Sequence, residues 1–471
     1  MRAIALDGPD GRLRARRWDV VVLGSALPGL VAAVRLGMAG ARVLVVAEEA
    51  ATRTPPLLLE PFYPAGARSD GVLQTCLTAL GIPPIERRGL ERQELAYQVV
   101  LPDARIDVGT TARTQEEWVA WGLAKPELAR DALRGLESAA RAEAEVLLES
   151  PLVRRGVWRA TGTHTTAGGS GRHLRGLPAS LSRPEPALAR LLDAEVRALS
   201  NLASGLPSPE ARARLLGAPL EGAIRFAPGR ALRALVRRRL EQAHGELRVV
   251  PGPFELVEID GHPGLVMRRA RDAWLGRALV LNAPAGRLAA VRAAAGGEVP
   301  DFLRVPPPSR RRAAIQLRAV PEVVPEAMAD RVIVVADGDP DPIRVTLHPG
   351  ELGARHVDLT ASVVVDDGAD LARAHDRLEA AVRALVPFSE QRLARVAEAP
   401  RPAWDDELAL GDPAGAGGGW PTEVEIRTPL KPPVFALPRE ELAGLGPEGD
   451  LLLGWQAGDT IAAALPKPAL G

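Results

Sequence analysis

The chain has 471 residues, of which 46% are hydrophobic and 25% charged, and its formal net charge at pH 7 is zero. This length exceeds one ordinary hydrophobic core and predicts at least two domains, while the balanced charge gives no indication of a nucleic-acid partner. The single cysteine, Cys76, excludes an internal disulfide framework and a cysteine metal cluster.

The N-terminal residues are polar and do not form the apolar core of a signal peptide, and no apolar run in the chain reaches the length of a membrane span. We therefore expect a cytoplasmic protein without a transmembrane segment. A peripheral contact with a membrane stays open, because periodicity does not reveal a surface patch. Residues 1–17 are arginine-rich and are predicted to be a flexible leader.

The first strong pattern runs from Trp18 to Glu49. Residues 19–23 are a buried strand, 24–29 a glycine turn, 30–38 a helix of small residues, and 42–46 a second buried strand. This order is typical of the βαβ unit that binds dinucleotides, in which free N–H groups at the helix start hold a pyrophosphate. The candidate contacts in the turn are Gly24, Ser25, Ala26 and Gly29.

This stretch resembles the N-terminus of FAD-dependent oxidoreductases of the amine oxidase and phytoene desaturase type. Gly24 and Gly29 match the first and third glycines of that motif, and Ala26 replaces the second. The acidic residue at the end of the second strand falls by register on Ala47, with Glu48 one position later. The resemblance implies FAD as cofactor, with Glu48 as the candidate contact to its ribose.

A second glycine-rich patch normally follows in the resembled family. Here Arg53 is present, but Thr54-Pro55-Pro56 replaces the paired glycines. Proline has no N–H, so a backbone anion cradle is not expected at this point, and Arg53 is the remaining candidate cofactor contact.

The middle of the chain is predicted to form most of a substrate domain. Residues 95–109 read as two short strands, which resemble the start of that domain in phytoene desaturase-like enzymes, and residues 115–149 and 186–217 are helical. Residues 151–184 read as a loop, whose histidines have no acidic or cysteine neighbours, so no metal site is predicted. Several alternating or apolar runs within 300–437 predict an antiparallel sheet and one helix.

Residues 225–288 resemble the return of the chain to the FAD domain. A helix is followed by a strand, a β meander and a buried strand that ends in Asn282-Ala283-Pro284. In the resembled family the first meander strand lies beside the adenine. Phe254 is therefore a candidate neighbour of the adenine, with a plain core aromatic as the alternative.

The C-terminus resembles the last strand and helix of such flavoproteins. Leu451–Gly454 matches the strand, but Trp455 stands where an aspartate is expected. Asp459 precedes a short helical run and is either a contact to the flavin side chain or the cap of that helix. Gly454 and Asp459 complete the candidate cofactor-binding residues.

The prediction for the whole chain is an α/β fold with a discontinuous Rossmann-like domain of the FAD or NAD(P)-binding type and an inserted α+β substrate domain. The Rossmann-like domain comprises residues 18–60, 225–300 and 438–471, and the substrate domain comprises 61–224 and 301–437. FAD fits better than NAD, because the second half of the chain follows the FAD architecture.

The predicted function is the transfer of a hydride from a largely apolar small molecule to flavin. Such chemistry depends on orientation and a dry site, so the pattern identifies no catalytic residue. The alternative is a non-catalytic member of the same fold that has lost tight FAD binding and acts as a binding or partner protein. Four departures favour this alternative, namely Ala26, Ala47, the missing paired glycines and Trp455.

Overall fold

The computed structural model describes residues 1–465 except 9–10, 158–174, 228–229, 251, 295–298, 300–302, 305–306, 337, 349, 351–353, 403 and 413–423. Most of the loop predicted within 151–184, including His164 and His173, lies outside the described residues. Among the described residues, no helix combines the length and the apolar character that a membrane crossing requires.

The chain contains both helices and strands, in mixed order. The helices are α1 (Leu27–Met38), α2 (Glu49–Arg53), α3 (Val72–Ala79), α4 (Pro84–Arg87), α5 (Thr111–Ala120), α6 (Pro126–Glu149), α7 (Pro186–Leu199), α8 (Pro209–Gly217), α9 (Leu232–Gln242), α10 (Ala285–Ala294), α11 (Leu371–Leu385) and α12 (Pro447–Ala464). The first strands are β1 (Arg2–Ala3), β2 (Asp7–Gly8), β3 (Gly11–Arg12), β4 (Arg14–Arg17), β5 (Val20–Leu23), β6 (Val43–Glu48), β7 (Leu90–Gln93), β8 (Leu95–Val100), β9 (Arg105–Gly109), β10 (Val153–Val157), β11 (Ala223–Phe226) and β12 (Glu246–Val250). The later strands are β13 (Glu255–Ile259), β14 (His262–Met267), β15 (Asp272–Leu275), β16 (Ala278–Leu281), β17 (Arg310–Ala319), β18 (Arg331–Val334), β19 (Ile343–His348), β20 (Val357–Asp366), β21 (Leu393–Glu398), β22 (Val424–Arg427) and β23 (Val434–Ala436).

The central sheet has the strand order β10-β22-β23-β16-β5-β6-β12, and from β23 to β12 its neighbours are parallel. Strand β5 is fully buried, as expected for a strand whose two faces are both covered in a parallel sheet. The strands of this sheet come from distant parts of the sequence. This topology confirms the predicted discontinuous Rossmann-like domain.

The N-terminal residues belong to a second sheet, with the order β1-β13-β14-β15-β4. Strand β1 pairs in parallel with β13, and β4 pairs in parallel with β15. Residues 1–17 were predicted to be a flexible leader, whereas β1 and β4 flank the β meander. The correction has a physical reason, since the arginines of β4 are exposed and the strand is held by backbone hydrogen bonds that composition does not reveal.

The inserted domain is built on a sheet with the order β21-β17-β20-β19-β18-β8-β9. Helix α11 packs on this sheet through Leu378 and Val382, and helices α5 to α8 enclose a second core with β8 and β9. This arrangement confirms the predicted α+β domain. The central sheet also takes β10, β22 and β23 from ranges that the sequence assigned to the substrate domain.

Helix α12 covers the segment for which a strand over 451–454 was predicted, and that prediction was wrong. A short apolar run cannot by itself distinguish a strand from a buried helix. Trp455 lies in the same helix. Helix α12 packs against α1, and a Cβ added at Gly454 would lie 2.4 Å from the carbonyl oxygen of Pro28. Gly454 therefore allows the close contact of two helices.

We expect Gly454→Ala to destabilise the protein. Alanine has a higher helix propensity than glycine by about 1 kcal/mol, so helix propensity alone would stabilise the variant. A loss of stability would therefore come from the clash with the backbone of α1, and overpacking of this kind costs about 1–3 kcal/mol. The measurement is the urea midpoint of the variant. Gly368→Ala is the control, because no atom lies within 4 Å of a Cβ there, and equal midpoints for the two variants would contradict the packing role.

Candidate nucleotide-binding groove

The turn between β5 and α1 packs tightly against Asn282, which follows β16. Gly24 has a φ of +111°, and a Cβ there would lie 2.4 Å from the carbonyl oxygen of Asn282. A Cβ at Gly29 would lie 2.1 Å from Asn282 Nδ2, and this amide donates hydrogen bonds to the carbonyl oxygens of Gly24 and Ala26 at 3.1 and 3.0 Å. Both predicted glycines are therefore required by the packing of the turn.

The N-terminus of α1 holds two carboxylates of the chain itself. The backbone N–H of Ser25 donates to the carboxylate oxygens of Asp405 at 3.0 and 3.1 Å, and Ser25 Oγ donates at 2.7 Å. The N–H of Leu27 donates to Glu407 at 2.9 Å. Free N–H groups and the dipole make a helix start an anion site, and here residues 404–407 supply the anions.

Glu48 contacts the same segment from the end of β6. Its carboxylate accepts hydrogen bonds from the N–H groups of Trp404 and Asp405 at 3.0 and 3.1 Å, and its own N–H donates to Asp405 at 3.3 Å. Strand β6 pairs with β12 through Glu48 without a shift in register, and Ala47 is buried. Glu48 therefore reaches the groove although no β-bulge shifts the register of β6.

Phe254 lies at the other end of this segment. Its ring meets that of Trp404 edge to face, with centroids 5.3 Å apart and an angle of 76° between the planes. Both rings are buried. Phe254 was predicted to be a neighbour of an adenine, and its observed aromatic neighbour is Trp404.

Residues 404–407 thus occupy the donors and the acceptor of the groove. Trp404 supplies a ring against Phe254, its backbone supplies donors to Glu48, and two carboxylates lie at the start of α1. We call these residues the internal segment. Its donors and acceptors complement those of the groove.

Arginines on two helical elements hold the acidic end of the internal segment. Arg233 of α9 forms an ion pair with Glu407 and donates to the carbonyl oxygen of Ser25 at 3.0 Å. Arg439 contacts Glu407 at 3.4 Å and forms two hydrogen bonds of 2.7 Å with Asp450. These pairs balance a carboxylate that would otherwise be costly to bury.

Burial raises the pKa of Asp405 to about 6, and hydrogen bonds from Ser25 and Glu48 counteract part of that rise. Burial also raises the pKa of Glu407, against the attraction of Arg233 and Arg439. The groove therefore binds these carboxylates at the cost of their hydration.

The internal segment is anchored by Asp406 as well. Its carboxylate accepts hydrogen bonds from Arg311 of β17 at 3.0 and 3.2 Å, and the side chains of both residues are almost fully buried. The pair connects the internal segment to the substrate-domain sheet. Asp406 stands between Asp405 and Glu407, so this buried pair opposes a displacement of the internal segment from the groove.

Two predicted contacts lie away from the groove. Arg53 is three-quarters exposed and pairs with Glu49, and Asp459 pairs with Arg35 at 2.7 Å. Arg35 lies in the last turn of α1, about 12 Å along the helix from its start at 1.5 Å per residue. Gly454 packs against Pro28 in the first turn of α1, next to the groove, where it allows the close contact of α1 and α12. The structure therefore brings together Gly24, Ser25, Ala26, Gly29, Glu48, Phe254 and Gly454 but not Arg53 and Asp459.

Sequence reasoning missed the internal segment and Arg233. The run Trp404-Asp405-Asp406-Glu407 has a sequence signal, since one aromatic and three consecutive acids stand in a stretch rich in proline and alanine. Nothing in the pattern relates this run to the glycine turn, which lies 380 residues earlier.

The groove fits FAD chemically but not while the internal segment lies in it. The N–H groups of Ser25 and Leu27 and the carboxylate of Glu48 suit a pyrophosphate and a ribose. In this conformation each of them is bonded to residues 404–407. A dinucleotide therefore needs the internal segment to withdraw.

A cavity of about 660 Å³, including the space at its open mouth, lies beside the acidic end of the internal segment. It is bounded by residues 57–62, by strands β17, β19 and β20 of the substrate-domain sheet and by the start of α12. In this position the cavity adjoins both the groove and the inserted domain.

No protein-family model and no curated protein matches the chain. Among solved structures, the chain is similar to a variant of putrescine oxidase with redesigned cofactor binding, at 14% identity, with 95% of this chain and 100% of that chain covered and a TM-score of 0.54. Wild-type putrescine oxidase bound to putrescine gives 14% identity, coverage of 96% and 100%, and the same TM-score. An oxidoreductase from Methanosarcina mazei gives 12% identity, coverage of 93% and 99%, and a TM-score of 0.54. At such identities the similarity shows a shared fold, which extends over nearly the whole chain.

We expect Asp405→Ala to lower stability by about 1–3 kcal/mol in protein prepared without nucleotide, because it leaves buried donors of Ser25 and Glu48 without an acceptor. The amide hydrogen of Ser25 should also exchange faster with solvent. Urea unfolding and hydrogen exchange measure the two effects. Asp103→Ala is the control, since Asp103 is exposed on a turn, and unchanged exchange at Ser25 would contradict the assignment.

Proposed function

We propose that this chain is an FAD-dependent oxidoreductase with the two-domain architecture of the amine oxidases, and that FAD enters its groove when the internal segment withdraws. One observation carries the proposal. The start of α1 holds anions through the N–H groups of Ser25 and Leu27, next to the acidic Glu48, at the turn where the resembled family binds FAD. The fold shared with putrescine oxidase and a further oxidoreductase supports it.

Bound FAD would supply a hydride acceptor. The protein would then orient the substrate and exclude water, and the cavity beside the groove is the space available for that. Leu57, Leu58 and Phe62 on one wall support the proposal that part of the substrate is apolar.

The filled groove favours a second candidate function, a non-catalytic binding protein of the same fold. The donors at the start of α1 and the carboxylate of Glu48 have partners within the chain, so nothing in this conformation requires a nucleotide. In this candidate the internal segment is a permanent replacement for the cofactor. The two candidates differ in whether the internal segment can be displaced by FAD.

We expect the double variant Trp404→Ala/Asp405→Ala to bind FAD about tenfold or more tightly than the wild type. The reason is that the apparent affinity of a site is reduced by the fraction of molecules in which that site is closed, and the variant removes the groups that close it. The measurements are the visible flavin absorption of the purified proteins and calorimetric titration with FAD.

The control is Trp121→Ala/Asp103→Ala, which changes the same residue types at exposed positions. Equal and tight FAD binding by all three proteins would keep the oxidoreductase proposal and remove the internal segment as a competitor. Absence of FAD binding in all three would overturn the oxidoreductase proposal in favour of the non-catalytic one.

A further inference from the structure

Two buried arginines of the substrate-domain sheet lie side by side at the cavity. Arg312 is on β17 and Arg344 is on β19, the two strands that flank β20, and they are 4% and 6% exposed. Both line the cavity. Each donates a hydrogen bond from Nη2 to the carbonyl oxygen of Ser200, at 3.0 and 2.7 Å. The two guanidinium groups therefore converge on one point.

Neither arginine forms an ion pair with a carboxylate among the described residues. Nε and Nη1 of Arg312 and Nε of Arg344 are buried and have no hydrogen-bond partner there. A buried charge without a counter-charge is costly, and a chain keeps one where something compensates it.

The acidic groups around this pair are engaged elsewhere. Asp341 influences Arg312, but its carboxylate pairs with Arg310. On the other side of the cavity, Asp450 pairs with Arg439 and Glu407 pairs with Arg233. The carboxylates of Asp450 and Glu407 at the cavity are thus paired with other arginines, whereas the two buried arginines have no carboxylate partner among the described residues.

Burial lowers the pKa of Arg312 to about 9, and burial together with repulsion from Arg312 lowers the pKa of Arg344. An anion between them would favour the charged forms of both. This electrostatic situation agrees with the geometry, since the free N–H groups lack an acceptor.

The rest of the lining is divided between polar and apolar groups. Hydroxyl groups of Thr346, Thr360 and Ser362 lie along the sheet near the arginines, and Leu57, Leu58 and Phe62 form an apolar wall. The guanidinium of Arg344 also lies over the ring of Phe62, 5.5 Å from its centroid. The cavity therefore suits a ligand with an anionic head and a hydrocarbon part.

We propose that Arg312 and Arg344 bind the carboxylate of a small organic acid whose hydrocarbon part contacts the wall formed by residues 57–62. Arginine is suited to this task because its N–H groups match the two oxygens of a carboxylate. That this acid is the substrate of an oxidoreductase rests on the function proposed above. The binding itself does not depend on FAD.

The test is calorimetric titration of the full chain with hexanoate and with hexan-1-ol, in the absence of FAD. The two probes share a six-carbon chain and differ in the charge of the head group. Hexanoate should bind about tenfold or more tightly than hexan-1-ol, and Arg312→Met or Arg344→Met should remove that difference. Arg318→Met is the control, because Arg318 lies on the same strand but is exposed and paired with Asp358, and it should bind hexanoate like the wild type.

Equal binding of the two probes by the wild type, or an equal loss in all three variants, would overturn the proposal. Should the buried variants fail to fold, the wild type still decides, since hexanoate should raise its Tm and hexan-1-ol should not. Inorganic phosphate is a further probe, and binding of phosphate without binding of hexanoate would overturn the carboxylate assignment. Hexanoate binding in a protein that never takes up FAD would keep the acid site and overturn its role as a substrate site.

Discussion

The structure depends on how the start of α1 is satisfied. A buried helix start leaves N–H groups that need acceptors, and here the acceptors are Asp405 and Glu407, 380 residues further along the chain than Ser25 and Leu27. The same contact joins the central sheet to the chain that returns from the substrate domain. Anion binding at the helix start and attachment of the two domains are therefore one interaction.

In the proposed function this interaction competes with a dinucleotide. The dinucleotide would need the N–H groups of Ser25 and Leu27 and the carboxylate of Glu48, which the internal segment holds in this conformation. Burial removes hydration from Asp405 and raises its pKa, while Arg233 stabilises the neighbouring Glu407. Which of the two would occupy the groove depends on the difference between the free energy of binding the internal segment and that of binding a dinucleotide. That difference distinguishes the two candidate functions.

The cavity beside the groove shows the opposite electrostatic situation. Glu407 and Asp450 have arginine partners, whereas Arg312 and Arg344 share only the carbonyl oxygen of Ser200 and carry buried donors without acceptors. Among the described residues, the carboxylates at the groove thus have hydrogen-bond or ion-pair partners, whereas the two arginines of the substrate-domain sheet keep donors without acceptors. The expectation of a largely apolar substrate came from the resemblance. The two arginines in the cavity lining are the reason why we propose an anionic head group as well.

The sequence by itself determined the βαβ unit, because apolar runs, the glycine turn and helix patterns are local signals, and the resemblance to a flavoprotein family supplied the discontinuous sheet and the inserted domain. It also pointed to Gly24, Gly29 and Phe254, which the structure places around the groove, and their contact with a cofactor stays a prediction. Tertiary structure alone decided that Leu451–Gly454 is helical, that β1 and β4 join the meander, and that Asp405 reaches Ser25. The reason is physical, since a run of leucines suits a strand or a buried helix equally. A carboxylate's partner depends on the packing of segments hundreds of residues apart, which no local pattern encodes.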